Sequence, residues 1–191
     1  MAWSVLSFLV LLTFGSFSPA CFMSIPSICI TGTPGVGKSS LAQELCRRLP
    51  NLCYVDLGAA IRERQLFSEW DDEMNASILD EDKVLQYLGD LAESRGAQGG
   101  IVVDFHSIGF LPGDFFKVAV VLTADTATLW DRLEARGYDT KKIQENVEAE
   151  IFKESTREAV EAFGDDKVVE YENNTPQDAE TNLAELLKLF L

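Results

Sequence analysis

The segment Ile30-Thr31-Gly32-Thr33-Pro34-Gly35-Val36-Gly37-Lys38-Ser39-Ser40-Leu41 constrains this chain more than any other. Gly32, Gly37, Lys38 and Ser39 stand at the spacing G-x-x-x-x-G-K-[ST], where glycines let successive backbone N–H groups turn inward around an anion. Such a loop needs a strand to deliver it and a helix to leave it, because the helix N-terminus supplies the rest of the positive field. Both flanks are present, which a plain glycine-rich turn would not require. Ser27-Ile28-Cys29-Ile30 is a short apolar, β-leaning run that reads as a buried strand. Leu41, Leu45 and Leu49 recur at a spacing of four, with Arg47 and Arg48 near the end, as on an amphipathic helix.

The rest of the chain continues the alternation. Leu52-Cys53-Tyr54-Val55 is a second short strand ending at Asp56, and Gly58 to Gln65 is a short helix carrying Arg62 and Arg64. Phe67 to Glu73 is acidic and aromatic and is expected to be a mobile loop. Asp80 precedes an acidic first turn and leucines at helical spacing; it serves either as an N-cap or as a direct substrate contact. Ile101-Val102-Val103-Asp104 is an apolar strand ending in an acid, the Walker-B pattern that sets a carboxylate beside a metal's water shell. His106 lies two residues on, on the same side of an extended chain. It is either a locally satisfied loop histidine or a group that positions the attacking nucleophile. Phe116 to Leu122 is a buried strand of parallel type, followed by a helix from Asp125 to Arg136 that sets Arg132 and Arg136 on one face. Gly137-Tyr138-Asp139 breaks that helix, and one long charged helix is expected from Lys141 to Phe163. Val168 to Tyr171 is a last strand, and Pro176 opens a terminal helix. The expected fold is a three-layer α/β P-loop fold, with a five-stranded parallel sheet flanked by helices.

A length of 191 residues fits one domain with a proper core. The net charge of −15 argues against a general nucleic-acid surface and leaves a few arginines as clamps for an anionic substrate. The four cysteines show no C-x-x-C spacing and read as reduced core residues, and with a single histidine zinc is not expected. No charged residue precedes Lys38, and Trp3 to Phe14 is nearly all apolar or hydroxyl-bearing. This stretch resembles a signal-peptide core without its positive start, and Gly15 and Pro19 break it too early for a membrane span. Residues 1–22 are therefore set apart as an extension, either a mis-assigned start or a targeting segment, from a domain over 23–191.

Together, "GTPGVGKSS", "ILDEDKV", "GGIVVDFH", "RLEARGY" and "EAEIF" resemble the adenylate kinase isoenzyme 6 family, also described as coilin-interacting nuclear ATPases and small-subunit ribosome assembly factors. The resemblance runs from about Pro26 to Leu191 and implies a fold of the nucleoside monophosphate kinase type. It implies an ATP-phosphate site at Gly32, Gly35, Gly37, Lys38, Ser39 and Ser40, a lid over about 135–145 with Arg136, and a monophosphate segment over about 56–79 with Asp56 and Arg62. Asn174 and Thr175 match a terminal loop lying against the adenine, and Asp104 and His106 match an acid and partner tied to ATP hydrolysis. Ala59 and Ala60 replace a usual Asp-Leu, Gly109 replaces a common acid, and Thr175 a frequent lysine.

Two outcomes follow. In the kinase reading Lys38, Arg132 and Arg136 neutralise phosphoryl oxygens, while Ser39 and Asp104 hold Mg²⁺ through water, and MgATP and AMP give two ADP. In the ATPase reading Asp104 and His106 orient water, and the two nucleotide states present different surfaces to a ribosomal small-subunit protein and the pre-40S particle. The resemblance implies both activities, in a monomer of nucleus and cytoplasm without membrane contact. A shikimate- or gluconate-type kinase is a distant third reading.

Overall fold

The structure is a computed structural model that describes residues 26–71, 76–96 and 99–190; the apolar leader, Cys21 and Met23 lie outside the described residues. Strand β1 (Ile28–Thr31) feeds the glycine-rich loop, and helix α1 (Lys38–Arg48) leaves it. β2 (Cys53–Asp56) and α2 (Leu57–Arg64) follow, and Asp56 caps α2 by accepting from the Ala59 N–H. A hairpin of β3 (Phe67–Asp71) and β4 (Ala76–Leu79) precedes α3 (Glu81–Arg95). Then come β5 (Ile101–Asp104), β6 (Val118–Thr123), α4 (Thr126–Ala135), α5 (Thr140–Ile151), α6 (Glu154–Phe163), β7 (Val168–Glu172) and α7 (Pro176–Leu187).

The main sheet runs in the order β2-β5-β1-β6-β7, and every pairing in it is parallel. Its strands read as near-continuous apolar runs because both faces are covered. Alternate residues then serve opposite faces. Ile28, Ile30, Val102, Val120 and Leu122 meet Leu45 of α1, Leu129 and Leu133 of α4, Ile143 of α5 and Leu186 of α7. Cys29, Val103, Ala119 and Val121 meet Ile61 of α2, Val84 and Leu88 of α3, and Ala159 and Phe163 of α6. Burying one leucine such as Leu45 is worth about 1.5–3 kcal/mol, and truncating it to alanine costs about 2–5 kcal/mol. Among the described residues no helix is long and apolar enough to cross a membrane.

Two expectations are corrected. The segment expected as a loop at Phe67 to Glu73 supplies β3, which pairs antiparallel with β4; the backbone bond from Asp80 N to Leu66 O (3.2 Å) closes its base. Aromatic β-propensity at Phe67 and Trp70 outweighs the acids that suggested a loop. The single helix expected from Lys141 to Phe163 is two. It breaks at Phe152 and Lys153, where Lys153 takes a left-handed φ of 50°. The reason lies in the two cores. Ile143 of α5 packs on one face of the sheet and Ala159 and Phe163 of α6 on the other, so the chain must turn between them. Asp80 proves to be an N-cap, accepting from Lys83 N at 3.1 Å, and it does not line the cleft described next.

Candidate active site

The cleft lies at the carboxyl ends of β1, β2 and β5, where open parallel sheets place their ligands. It encloses about 210 Å³ and is lined by the phosphate loop and start of α1 (Pro34 to Ser40), by Asp56 and Gly58, by Asp104, Phe105 and His106, and by Arg136. The loop is shaped by backbone it could not share with other residues. Gly32 has φ 136°, and a Cβ there would stand 2.2 Å from the Leu122 carbonyl oxygen. Gly37 has φ 105° and caps α1 without a side-chain bond, so the first amides of the helix are left for a ligand.

Lys38 folds back over the loop, its Nζ donating to the carbonyls of Gly32 (2.7 Å) and Thr33 (3.1 Å). Burial lowers its ammonium to about 8 from an ordinary 10.5; Arg136 adds to the effect, while Asp104 and Glu150 oppose it. Asp104, buried at the end of β5, accepts on Oδ2 from the Ser39 hydroxyl (2.5 Å) and the Tyr54 hydroxyl (3.1 Å). The Tyr54 phenol is pushed up by burial and then by that carboxylate. His106 is pushed below the usual imidazole value by burial and by the Lys38 ammonium, against the pull of Glu158 and Asp104. Its imidazole is thus neutral near pH 7.

Of the residues singled out in the sequence, Gly35, Gly37, Lys38, Ser39, Ser40, Asp56, Asp104, His106 and Arg136 meet in this cleft. Gly32, Arg62, Arg132, Asn174 and Thr175 are outside its lining. Arg132 donates to the carbonyls of Asn173 (2.9 Å) and Asn174 (2.8 Å) and reaches Gly35 O at 3.5 Å, so it braces the loop from behind. Thr175 forms a capping box with Asp178 at the start of α7. Arg62 is exposed, with Nη1 3.6 Å from where a Gly58 Cβ would stand.

Sequence reasoning missed Tyr54, Asn173 and Glu150. Asn173 Nδ2 donates to Val36 O at 2.7 Å and occupies the space a Gly37 side chain would need. Glu150 bonds Thr33 Oγ1 and the Ala124 N–H. All three act over long sequence distances; only the glycine at 37 signalled that something approaches the loop closely.

A phosphate loop at the head of a parallel sheet, sharing a cleft with a strand-end acid and an arginine at the end of α4, defines the class of P-loop nucleotide kinases. A family model described as an AAA domain matches residues 28–153. The chain is similar to the "Adenylate kinase isoenzyme 6 homolog" of Caenorhabditis elegans, 40% identical over 86% of this chain and 88% of that one. The homolog of the same name from Schizosaccharomyces pombe is 38% identical over 85% and 90% of the two chains. The chain belongs to the adenylate kinase isoenzyme 6 family. In fold alone it is similar to a shikimate kinase from Bacteroides thetaiotaomicron (TM-score 0.55, 18% identity, 86% and 97% covered). The same holds for TT1252 from Thermus thermophilus (TM-score 0.59, 19% identity, 88% and 99% covered).

Proposed function

We propose that the chain transfers the γ-phosphoryl of MgATP to AMP, giving two ADP. One observation carries this reading: the cleft lined by Lys38, Ser39, Asp104 and Arg136 is also lined by Asp56 and Gly58, at the start of α2. A second phosphate group entering beside α2 would thus share the cleft with the first. Lys38 would exchange its carbonyl partners for the β- and γ-oxygens, and Arg136 would meet the transferring group. Arg62, at the rim beside Gly58, is the cation for the AMP phosphate, while Asp56 and its helix set the pocket wall. Arg132 contributes by fixing the loop, not by touching phosphate. Ser39 and Asp104 are hard oxygen donors already in contact, a set that suits Mg²⁺ with a shell completed by water and phosphate. When bound, that ion would neutralise the β- and γ-oxygens. The adenylate kinase name of the relatives supports AMP as acceptor.

A second reading is favoured by His106. A neutral imidazole beside Asp104, in the same cleft, can accept a proton from water and turn the site to ATP hydrolysis. With it goes the proposal of a basic small-subunit ribosomal protein on the pre-40S particle as partner, in nucleus and cytoplasm, for which the −15 charge offers electrostatic steering. Purified protein given ATP alone, then ATP with AMP, separates the two. Two ADP for each AMP consumed is the kinase outcome; phosphate release indifferent to AMP rejects it. Pull-down of the ribosomal protein in each nucleotide state tests the partner, and no capture in any state rejects that part.

A further inference from the structure

We propose that Glu150 is a positioning residue for the phosphate loop, through which the helix behind Arg136 sets the shape of the anion site. Both carboxylate oxygens are engaged: Oε2 accepts from Thr33 Oγ1 at 2.5 Å and Oε1 accepts from the Ala124 N–H at 2.8 Å. One side chain thereby joins the phosphate loop to the residue just past β6. Thr33 is buried, and its carbonyl is one of the two that hold the Lys38 ammonium. The same residue therefore carries the carboxylate on its side chain and the catalytic cation on its main chain.

The placement of Glu150 makes it a lever. It sits in the last turn of α5, a helix whose other end begins at Thr140, just beyond the cleft-lining Arg136. At Ile151 the helix ends and the chain crosses to the other face of the sheet, so the two bonds tie the last turn of α5 to the phosphate loop and to the end of β6. A carboxylate beside a triphosphate site repels the ligand, and that cost is offset only by what the contact positions.

The inference rests on the cleft being a MgATP site, and calorimetry with MgATP separates the two ideas. Glu150→Ala is expected to weaken MgATP by about tenfold or more, and Thr33→Val by a similar factor. The double variant should be no weaker than Glu150→Ala, because both remove one link. Glu150→Gln can still accept from the Ala124 N–H and can donate its amide to Thr33 Oγ1, so it should restore MgATP binding to within about threefold of wild type. If Glu150→Ala fails to fold, Thr33→Val and Glu150→Gln still decide. Wild-type affinity in folded Glu150→Ala, strictly additive effects, or a Glu150→Gln variant as weak as Glu150→Ala each overturns the inference while the cleft reading stands. A wild-type chain that binds no MgATP overturns both.

Discussion

Ser39 and Asp104, 65 residues apart in the chain, are joined by a 2.5 Å hydrogen bond between hydroxyl and carboxylate. The contact follows from strand register: β1 pairs with β5 so that Ile30 lies opposite Asp104, and the loop after β1 therefore passes directly over the acid. Asp104→Asn keeps an acceptor for Ser39 but removes the charge. Turnover of MgATP is expected to fall by about 100-fold or more, with affinity for magnesium-free ADP nearly unchanged. Steady-state rates and ADP calorimetry on the same preparation check this.

Lys38→Ala removes the only ammonium lining the cleft among the described residues. Both phosphoryl transfer and hydrolysis should lose about 2–4 kcal/mol of barrier stabilisation, on the order of 10²–10³ in rate. Coupled assays with and without AMP measure the two activities side by side; full activity in either would place the phosphate elsewhere.

The lowered ammonium of Lys38 gives the free protein a defined alkaline response. Its folded value is about 8 and its ordinary value 10.5, so between them the unfolded chain holds the proton and the folded one does not. Stability from this group is therefore expected to rise as pH climbs from about 8 towards 10.5, while kcat/KM for MgATP falls through the same window as the cation is lost. Denaturant melts and kcat/KM across that range report the two trends, and Lys38→Met should remove this upward contribution, leaving the downward slope that the Cys29 and Cys46 thiols, both raised by burial, impose at alkaline pH.

Gln65 closes α2 in the left-handed region, with φ 56°, and its side chain is exposed. Gln65→Gly should relieve the conformation and stabilise the chain by about 0.5–1 kcal/mol. Thermal melts should rise by about 2–4 °C per kcal/mol for a domain of this size. Activity is expected to be unchanged, since Gln65 does not line the cleft.

The phosphate loop, Asp104, His106 and the alternation of strands and helices were legible because each is written in a local pattern: glycine spacing, an apolar run closed by an acid, leucines every four residues. The order of strands in the sheet was not, since β5 enters between β1 and β2 by pairing choices no local window encodes. The division of α5 from α6 was hidden for a related reason. The charged residues keep helical periodicity through Lys153, and only the need to serve both faces of the sheet forces the turn that leaves Ile151 and Phe152 exposed. Arg132 looked like a second phosphate cation because it lies one helical turn from Arg136. Its carbonyl partners at Asn173 and Asn174 come from the far end of the chain, which sequence spacing could not anticipate.

Those same carboxyl-terminal residues fix when the site can exist. Asn173 reaches back 137 positions to hold the Val36 carbonyl and fill the hollow beside Gly37. During synthesis the phosphate loop emerges early, but its rear support arrives only with the last strand. A growing polypeptide is therefore expected to gain this brace on its phosphate loop only when most of it has been made, which places tight ligand capture late in folding.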